Sequence, residues 1–141
     1  MVRSSSFAAV VLAAALLAAG CSRPLSTEIF VRSSQAENGV YVFDLTLADS
    51  LAPYDFWFYS RTLGTEISSL PLNVQWLAPS GKRFSETVYM KKVDADGESE
   101  LYRSGVVPAE SGQWRLSVRP VGVDDDFCGL GIICKENDGT R

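Results

Sequence analysis

Apolar residues along this chain fall into two regimes. From Phe7 to Gly20 they run without interruption, FAAVVLAAALLAAG, with no polar side chain among them. Beyond Glu28 the runs are short, alternate with polar residues and are punctuated by turn formers. Successive side chains of a strand face opposite ways, so a period of two marks a half-buried strand. That pattern predicts eight strands, over 28–32, 40–47, 54–60, 70–77, 84–91, 101–107, 113–119 and 127–135. Tyr41, Phe43, Leu45 and Leu47 share one face of their strand. Leu70, Leu72, Val74 and Trp76 point inward on theirs, with Asn73 and Gln75 turned out. Phe84, Val88 and Met90 share a face, and Trp114, Leu116 and Val118 oppose Arg115, Ser117 and Arg119.

Turn chemistry separates these runs. Asn38-Gly39, Ala78-Pro79-Ser80-Gly81-Lys82, the stretch 94–99 and Glu110-Ser111-Gly112 all carry residues that favour reversal. Short strands with turns about every 8–12 residues suit an all-β sandwich or jelly roll. No helical period, internal repeat or low-complexity linker occurs after residue 28. The expectation is one antiparallel β-sandwich, jelly-roll-like, over 28–141, preceded by a targeting segment (1–20) and a tether (21–27).

The uncharged run is too short to cross a bilayer, for which about 20 helical residues are needed. It has the length of a signal-peptide hydrophobic region and follows the single cation Arg3. It closes on Leu17-Ala18-Ala19-Gly20-Cys21, small residues directly before a cysteine. This resembles the lipobox of bacterial lipoproteins, although Ala18 holds the place where Leu is usual and Leu17 lies one further back. The resemblance implies acyl chains on Cys21 and cleavage before it. An ordinary signal cut at an A-x-A site, with Cys21 incidental, is the alternative. Two or three acyl chains, at about 0.8 kcal/mol per buried methylene, anchor durably. Ser22 follows the cysteine, so nothing resembles the acidic inner-membrane retention signal, and 22–26 lacks the acidic cluster of many surface-exported lipoproteins. Outer-membrane anchoring on the periplasmic face is the expectation.

Composition narrows the function classes. The formal net charge is −4, and losing Arg3 with the signal makes the body more negative. Such a body attracts neither nucleic acid nor anionic lipid at long range. The chain has no His, which removes His-based triads, the usual base near pH 7 and most catalytic zinc sites. No nucleophile elbow, Walker loop or zinc signature occurs, so neither catalysis nor a cofactor is expected. Asp94-Ala95-Asp96-Gly97-Glu98-Ser99-Glu100 echoes a calcium loop but lacks a third oxygen ligand before the glycine and the Glu at position 12. A polar hairpin turn is the plainer account, and no metal site is expected.

Two features stay open. Cys128 and Cys134 either form a disulfide, which needs 129–131 to turn, or remain two buried thiols on an extended strand. Within Phe56-Trp57-Phe58-Tyr59, alternation buries Phe56 with Phe58 and turns Trp57 and Tyr59 to the opposite face. If that face is solvent, Trp57 and Tyr59 form a platform for a sugar or a protein partner, with Arg115 and Arg119 supplying polar contacts. If both faces are covered, the two rings are core.

The order of the short motifs resembles the small lipoproteins of the gliding-motility GldH type and their relatives in non-gliding members of the same phylum. The match runs through Cys21, Tyr54-Asp55-Phe56-Trp57-Phe58-Tyr59-Ser60-Arg61, Leu70-Pro71-Leu72, Pro79-Ser80-Gly81-Lys82, Glu110-Ser111-Gly112-Gln113-Trp114 and Gly129-Leu130-Gly131-Ile132. It implies a non-enzymatic outer-membrane lipoprotein that supports an envelope machine of the gliding or secretion kind, through a membrane-proximal protein partner. It carries over no catalytic residues. Asp49-Ser50-Leu51 is similar to the three-residue O-glycosylation signal of that phylum, which marks Ser50. A glycan-binding lipoprotein using Trp57 and Tyr59 is the alternative function.

Overall fold

A computed structural model describes residues 26–48, 53–64 and 66–137. The 1–20 targeting segment, Cys21 with its expected lipid and Ser50 with its expected glycan lie outside those residues. The described chain forms β1 (Ser26–Arg32), β2 (Tyr41–Leu47), β3 (Tyr54–Thr62), β4 (Leu70–Leu77), β5 (Arg83–Met90), β6 (Glu100–Val106), β7 (Gly112–Pro120) and β8 (Phe127–Glu136), with one 3-10 turn at Ser33–Gln35. These are the eight strands that alternation predicts, shifted by one or two residues at their ends. The largest shift matters: β1 begins at Ser26, paired with Lys135, so it takes in the last two residues expected of the tether. No helix among the described residues is long and apolar enough to cross a membrane.

The strands form two four-stranded antiparallel sheets, ordered β1-β8-β3-β6 and β2-β7-β4-β5. The pairing is nested: β1 lies against β8, β2 against β7, β3 against β6 and β4 against β5. A long hairpin whose two arms stay paired while the whole ribbon rolls over has this order. The protein is an eight-stranded jelly roll. The β3–β8 and β4–β7 ladders then close each sheet.

Alternation explains which side chains meet between the sheets. Tyr41, Phe43, Leu45 and Leu47 of β2 are all buried while Val42, Asp44 and Thr46 are exposed. Leu72 of β4, Leu116 and Val118 of β7, and Leu130 and Ile132 of β8 are completely excluded from water. Each such side chain contributes about 1.5–3 kcal/mol relative to exposure. At Asn38-Gly39 both residues have positive φ (54° and 76°), and the flanking Glu37 and Val40 exchange backbone hydrogen bonds. A two-residue turn of that kind needs positive φ at both central residues, which is why Asn-Gly suits it.

The outer edges of the two sheets come together in pairs. β1 and β2 meet along one side of the sandwich. β5 and β6 flank the other, and there the ladder is irregular. Between Tyr54–Val106 and Phe56–Arg103 the register of β3 against β6 slips, and Gly105 takes a φ of 66° that suits glycine. Its N–H donates to the buried Asp55 carboxylate at 2.8 Å. The slip lets Val106 pack against the core at the mouth of the site described next.

Candidate functional site

The open side of the sandwich holds an aromatic groove of about 230 Å³ between β5 and β6. Each sheet supplies part of its wall by simple alternation. Trp76 is the last inward residue of β4, after Leu70, Leu72 and Val74, and sits opposite Phe84 of β5. The β4–β5 turn fixes that pairing through Gly81 N–H to Ala78 C=O and Ala78 N–H to Lys82 C=O. Trp114 comes from β7, Phe56 from β3 and Tyr102 from β6, with Leu47, Val106 and Pro108 completing the apolar wall.

Trp76 packs edge to face against the rings on both sides of it. Phe56 meets Trp76 at 5.3 Å between centroids and Trp76 meets Trp114 at 6.1 Å, both near perpendicular. Phe84 stacks on Trp114 at 6.3 Å and remains 49% exposed, so it forms the lip of the groove. Such geometry sets the positive ring edges against negative faces. A bound apolar group would meet ring faces on several sides.

One polar cluster guards the mouth. The Trp76 indole donates to the Tyr102 hydroxyl at 3.0 Å, and Tyr102 in turn donates to Glu86 Oε1. Arg103 donates to Glu86 through Nε at 3.3 Å and through Nη2. Burial, reinforced by the bond to the Glu86 carboxylate, pushes the Tyr102 hydroxyl up to about 12. The same carboxylate holds the Arg103 guanidinium above its ordinary value. The Trp114 indole is engaged by the Glu110 carbonyl at 3.0 Å. Among the described residues, no buried side-chain polar atom lacks a partner. The groove thus has apolar walls, with one hydrogen-bonded acid at the rim.

Alternation places Trp76, Phe84 and Trp114 on inward faces, but it does not reveal that they converge at one end. A usable signal exists in Glu86. It occupies the same inward face as Phe84, Val88 and Met90, and a carboxylate at such a position needs a partner.

The residues singled out from sequence lie elsewhere. Trp57 and Tyr59 are half-buried on the outer face of the β1-β8-β3-β6 sheet. Tyr59 stacks on Phe30 at 5.7 Å, and the two rings close over β8 where Gly129 and Gly131 leave room. Burial first, and then the Glu28 carboxylate, raises the Tyr59 hydroxyl. The Lys135 amine lies over the Trp57 ring at 5.4 Å. Arg115 and Arg119 project from the outer face of the other sheet, where Arg115 pairs with Asp44 at 2.9 Å. The core separates the two pairs, with sheets about 10 Å apart. The four residues expected to serve one ligand therefore do not converge.

Compared with family models, curated proteins and solved structures, the chain matches none.

The cysteine alternatives resolve on geometry. β8 stays extended through 127–136, which keeps Cys128 and Cys134 about 20 Å apart at 3.3 Å per residue. Both are free thiols. Cys134 is buried and its thiol is pushed up to about 12 by that burial, whereas Cys128 is only partly covered. The acidic turn is committed to its own backbone. Asp94 accepts the amides of Asp96 and Gly97, and Glu100 accepts those of Lys91 and Lys92. No cluster of three or more metal-ligating side chains occurs among the described residues.

Proposed function

We propose that this protein is a lipid-anchored, non-catalytic lipoprotein of the outer membrane that docks a membrane-proximal partner protein as an accessory of an envelope assembly. The gliding and secretion machinery implied by the GldH-type motifs is the kind of assembly in view. The single observation that carries the reading is the aromatic groove opening between two strands, β5 and β6, that have no neighbour on their outer edges among the described residues.

The position of the tether supports it. Ser26 pairs with Lys135, Lys135 with Asp55, and the neighbouring Tyr54 with Val106 at the groove. The chain therefore leaves towards Cys21 from the same end of the sandwich as the groove. Five residue steps from Cys21 to Ser26 span at most about 17 Å. An extended segment of a membrane protein would find backbone donors and acceptors on the free strand edges, and it would seat an apolar side chain between Phe84, Trp76 and Trp114. Such an anchor in a desolvated pocket is what carries affinity in protein recognition.

The test is affinity purification of the full-length, tagged protein from membranes. A stoichiometric envelope protein is expected with the native chain and is expected to be lost in Phe84→Ser, which alters an exposed ring and leaves the core intact. Retention of that partner by Phe84→Ser would remove the groove from the account. Cys21→Ser is expected to release the protein from the membrane fraction after export, and continued membrane binding would remove the anchor. The glycan alternative draws on Trp57 and Tyr59, whose half-buried rings already lie against Lys135 and Phe30.

A further inference from the structure

The outer face of the β2-β7-β4-β5 sheet carries a shallow, open hollow of about 500 Å³. Two rows of side chains cross three strands there. Arg119, Asn73 and Thr87 lie in register, and beside them Ser117, Gln75 and Ser85. All six project away from the core, because their neighbours Val118, Leu72, Val74 and Leu116 fill it. The Thr87 hydroxyl donates to Asn73 Oδ1 at 3.0 Å, which leaves the Asn73 amino group free to face a ligand. Arg115, one row away, is neutralised by Asp44, but Arg119 has no ion-pair partner among the described residues. The one acid bordering the hollow, Glu86, turns its carboxylate to the opposite side, where Tyr102 and Arg103 hold it. One row beyond Thr87 on the same face, Tyr89 is 65% exposed.

This inventory has a chemical sense. Amides and hydroxyls both donate and accept, so they match the vicinal hydroxyls of a sugar. An unpaired guanidinium in a patch without a facing carboxylate prefers a carboxylate ligand, in bidentate geometry. An exposed phenol ring offers an apolar face with a polar tip. A protein partner would require an apolar centre to the patch, whereas the exposed apolar side chains of this face, Val42 on β2 and Tyr89 on β5, lie on its two edge strands. A nucleic acid would require several cations, and the hollow has one. Arg119 and Tyr89 are separated by two strand spacings and one row, about 12 Å, a span that calls for more than one sugar ring.

We propose that this hollow binds a short uronic-acid glycan, with Arg119 on a carboxylate, Asn73, Gln75 and Ser117 on ring hydroxyls, and Tyr89 stacked against a flanking sugar. The site lies on the far side of its sheet from the aromatic groove and does not depend on the partner docked there. A single molecule could thus hold a protein partner at one surface and an acidic polysaccharide at another.

The test is titration of the full mature chain with trimers of galacturonate and of alginate, followed by calorimetry and by the side-chain amide resonances of Asn73 and Gln75. Both resonances are expected to shift with at least one of these trimers. Arg119→Gln is expected to weaken binding at least tenfold and Tyr89→Ala several-fold, with unchanged thermal melts because both side chains are exposed. The methyl ester of the same trimer, which keeps the rings and loses the charge, is expected to bind no better to the native protein than the acid binds to Arg119→Gln. Phe84→Ser in the groove is expected to leave glycan binding unchanged. Absence of any shift with both trimers at millimolar concentration overturns the proposal. So does equal binding of acid and ester, or loss of binding in Phe84→Ser with retention in Arg119→Gln.

Discussion

Trp76 and Tyr102 join the two sheets of the sandwich: the indole N–H of β4 donates to the phenol oxygen of β6 at 3.0 Å. Tyr102 passes the link back by donating to Glu86 of β5, so the open side is stitched by a chain of hydrogen bonds rather than by a strand ladder. Removing the Tyr102 hydroxyl strands the Trp76 indole N–H, while Glu86 Oε1 keeps its bond from Arg103. Tyr102→Phe should lower the unfolding free energy by about 1–3 kcal/mol, the usual penalty for an orphaned group that is largely buried. Urea unfolding measures it. In a double-mutant cycle with Trp76→Phe, strict additivity would show that the bond carries no coupling.

The same hydroxyl makes stability depend on alkaline pH. Tyr102 is raised from 10.0 to about 12 by burial and Glu86, and Cys134 from 9.0 to about 12 by burial. For an acid raised in the folded state, the unfolded chain gives up its proton first. Stability is therefore full below pH 9 and falls as pH climbs from about 9 to 12. Tyr102→Phe should flatten the upper part of that decline, and Cys134→Ala its onset. A flat stability profile from pH 9 to 11 in the native protein would contradict both assignments.

Gly131 is small for a steric reason. A methyl group there would lie 2.1 Å from Cζ of Tyr59, whose ring stacks with Phe30 above β8. Gly131→Ala should cost about 1–3 kcal/mol by overpacking. Adding Tyr59→Ser should recover part of the loss, because it removes the ring that the methyl strikes. If the double variant is no more stable than Gly131→Ala alone, the clash is not the cause.

The thiols should differ in reactivity. Cys128 is partly covered, with its Sγ against the Asp126 carbonyl at 3.4 Å, whereas Cys134 is buried and held protonated. Maleimide labelling of the native protein, read by mass, should modify Cys128 first and reach Cys134 only after unfolding. Failure of either to label in non-reducing denaturant would reveal a disulfide.

Strand positions were legible because local alternation decides them. The run Trp114-Arg115-Leu116-Ser117-Val118 has one reading under a period of two, and the eight strands follow from such runs and their turns. The groove was not legible, because Phe56, Trp76, Phe84, Tyr102 and Trp114 come from five strands that only the rolled pairing brings together. For Trp57 and Tyr59 alternation gave the outward direction and left the cover open; Gly129 and Gly131 of β8 let the neighbouring rings fold down, so that face is partly closed.

The sequence by itself determined the all-β class, the strand boundaries to within a residue or two and the two faces of each strand. These depend on a chain's own residues and their immediate neighbours. Tertiary structure alone decided that β1 lies against β8 and β3 against β6, that Arg119 and Trp57 look in opposite directions, and that Glu86 meets Tyr102. Those contacts join residues far apart along the chain, and a two-residue period carries no record of which strand will lie beside which.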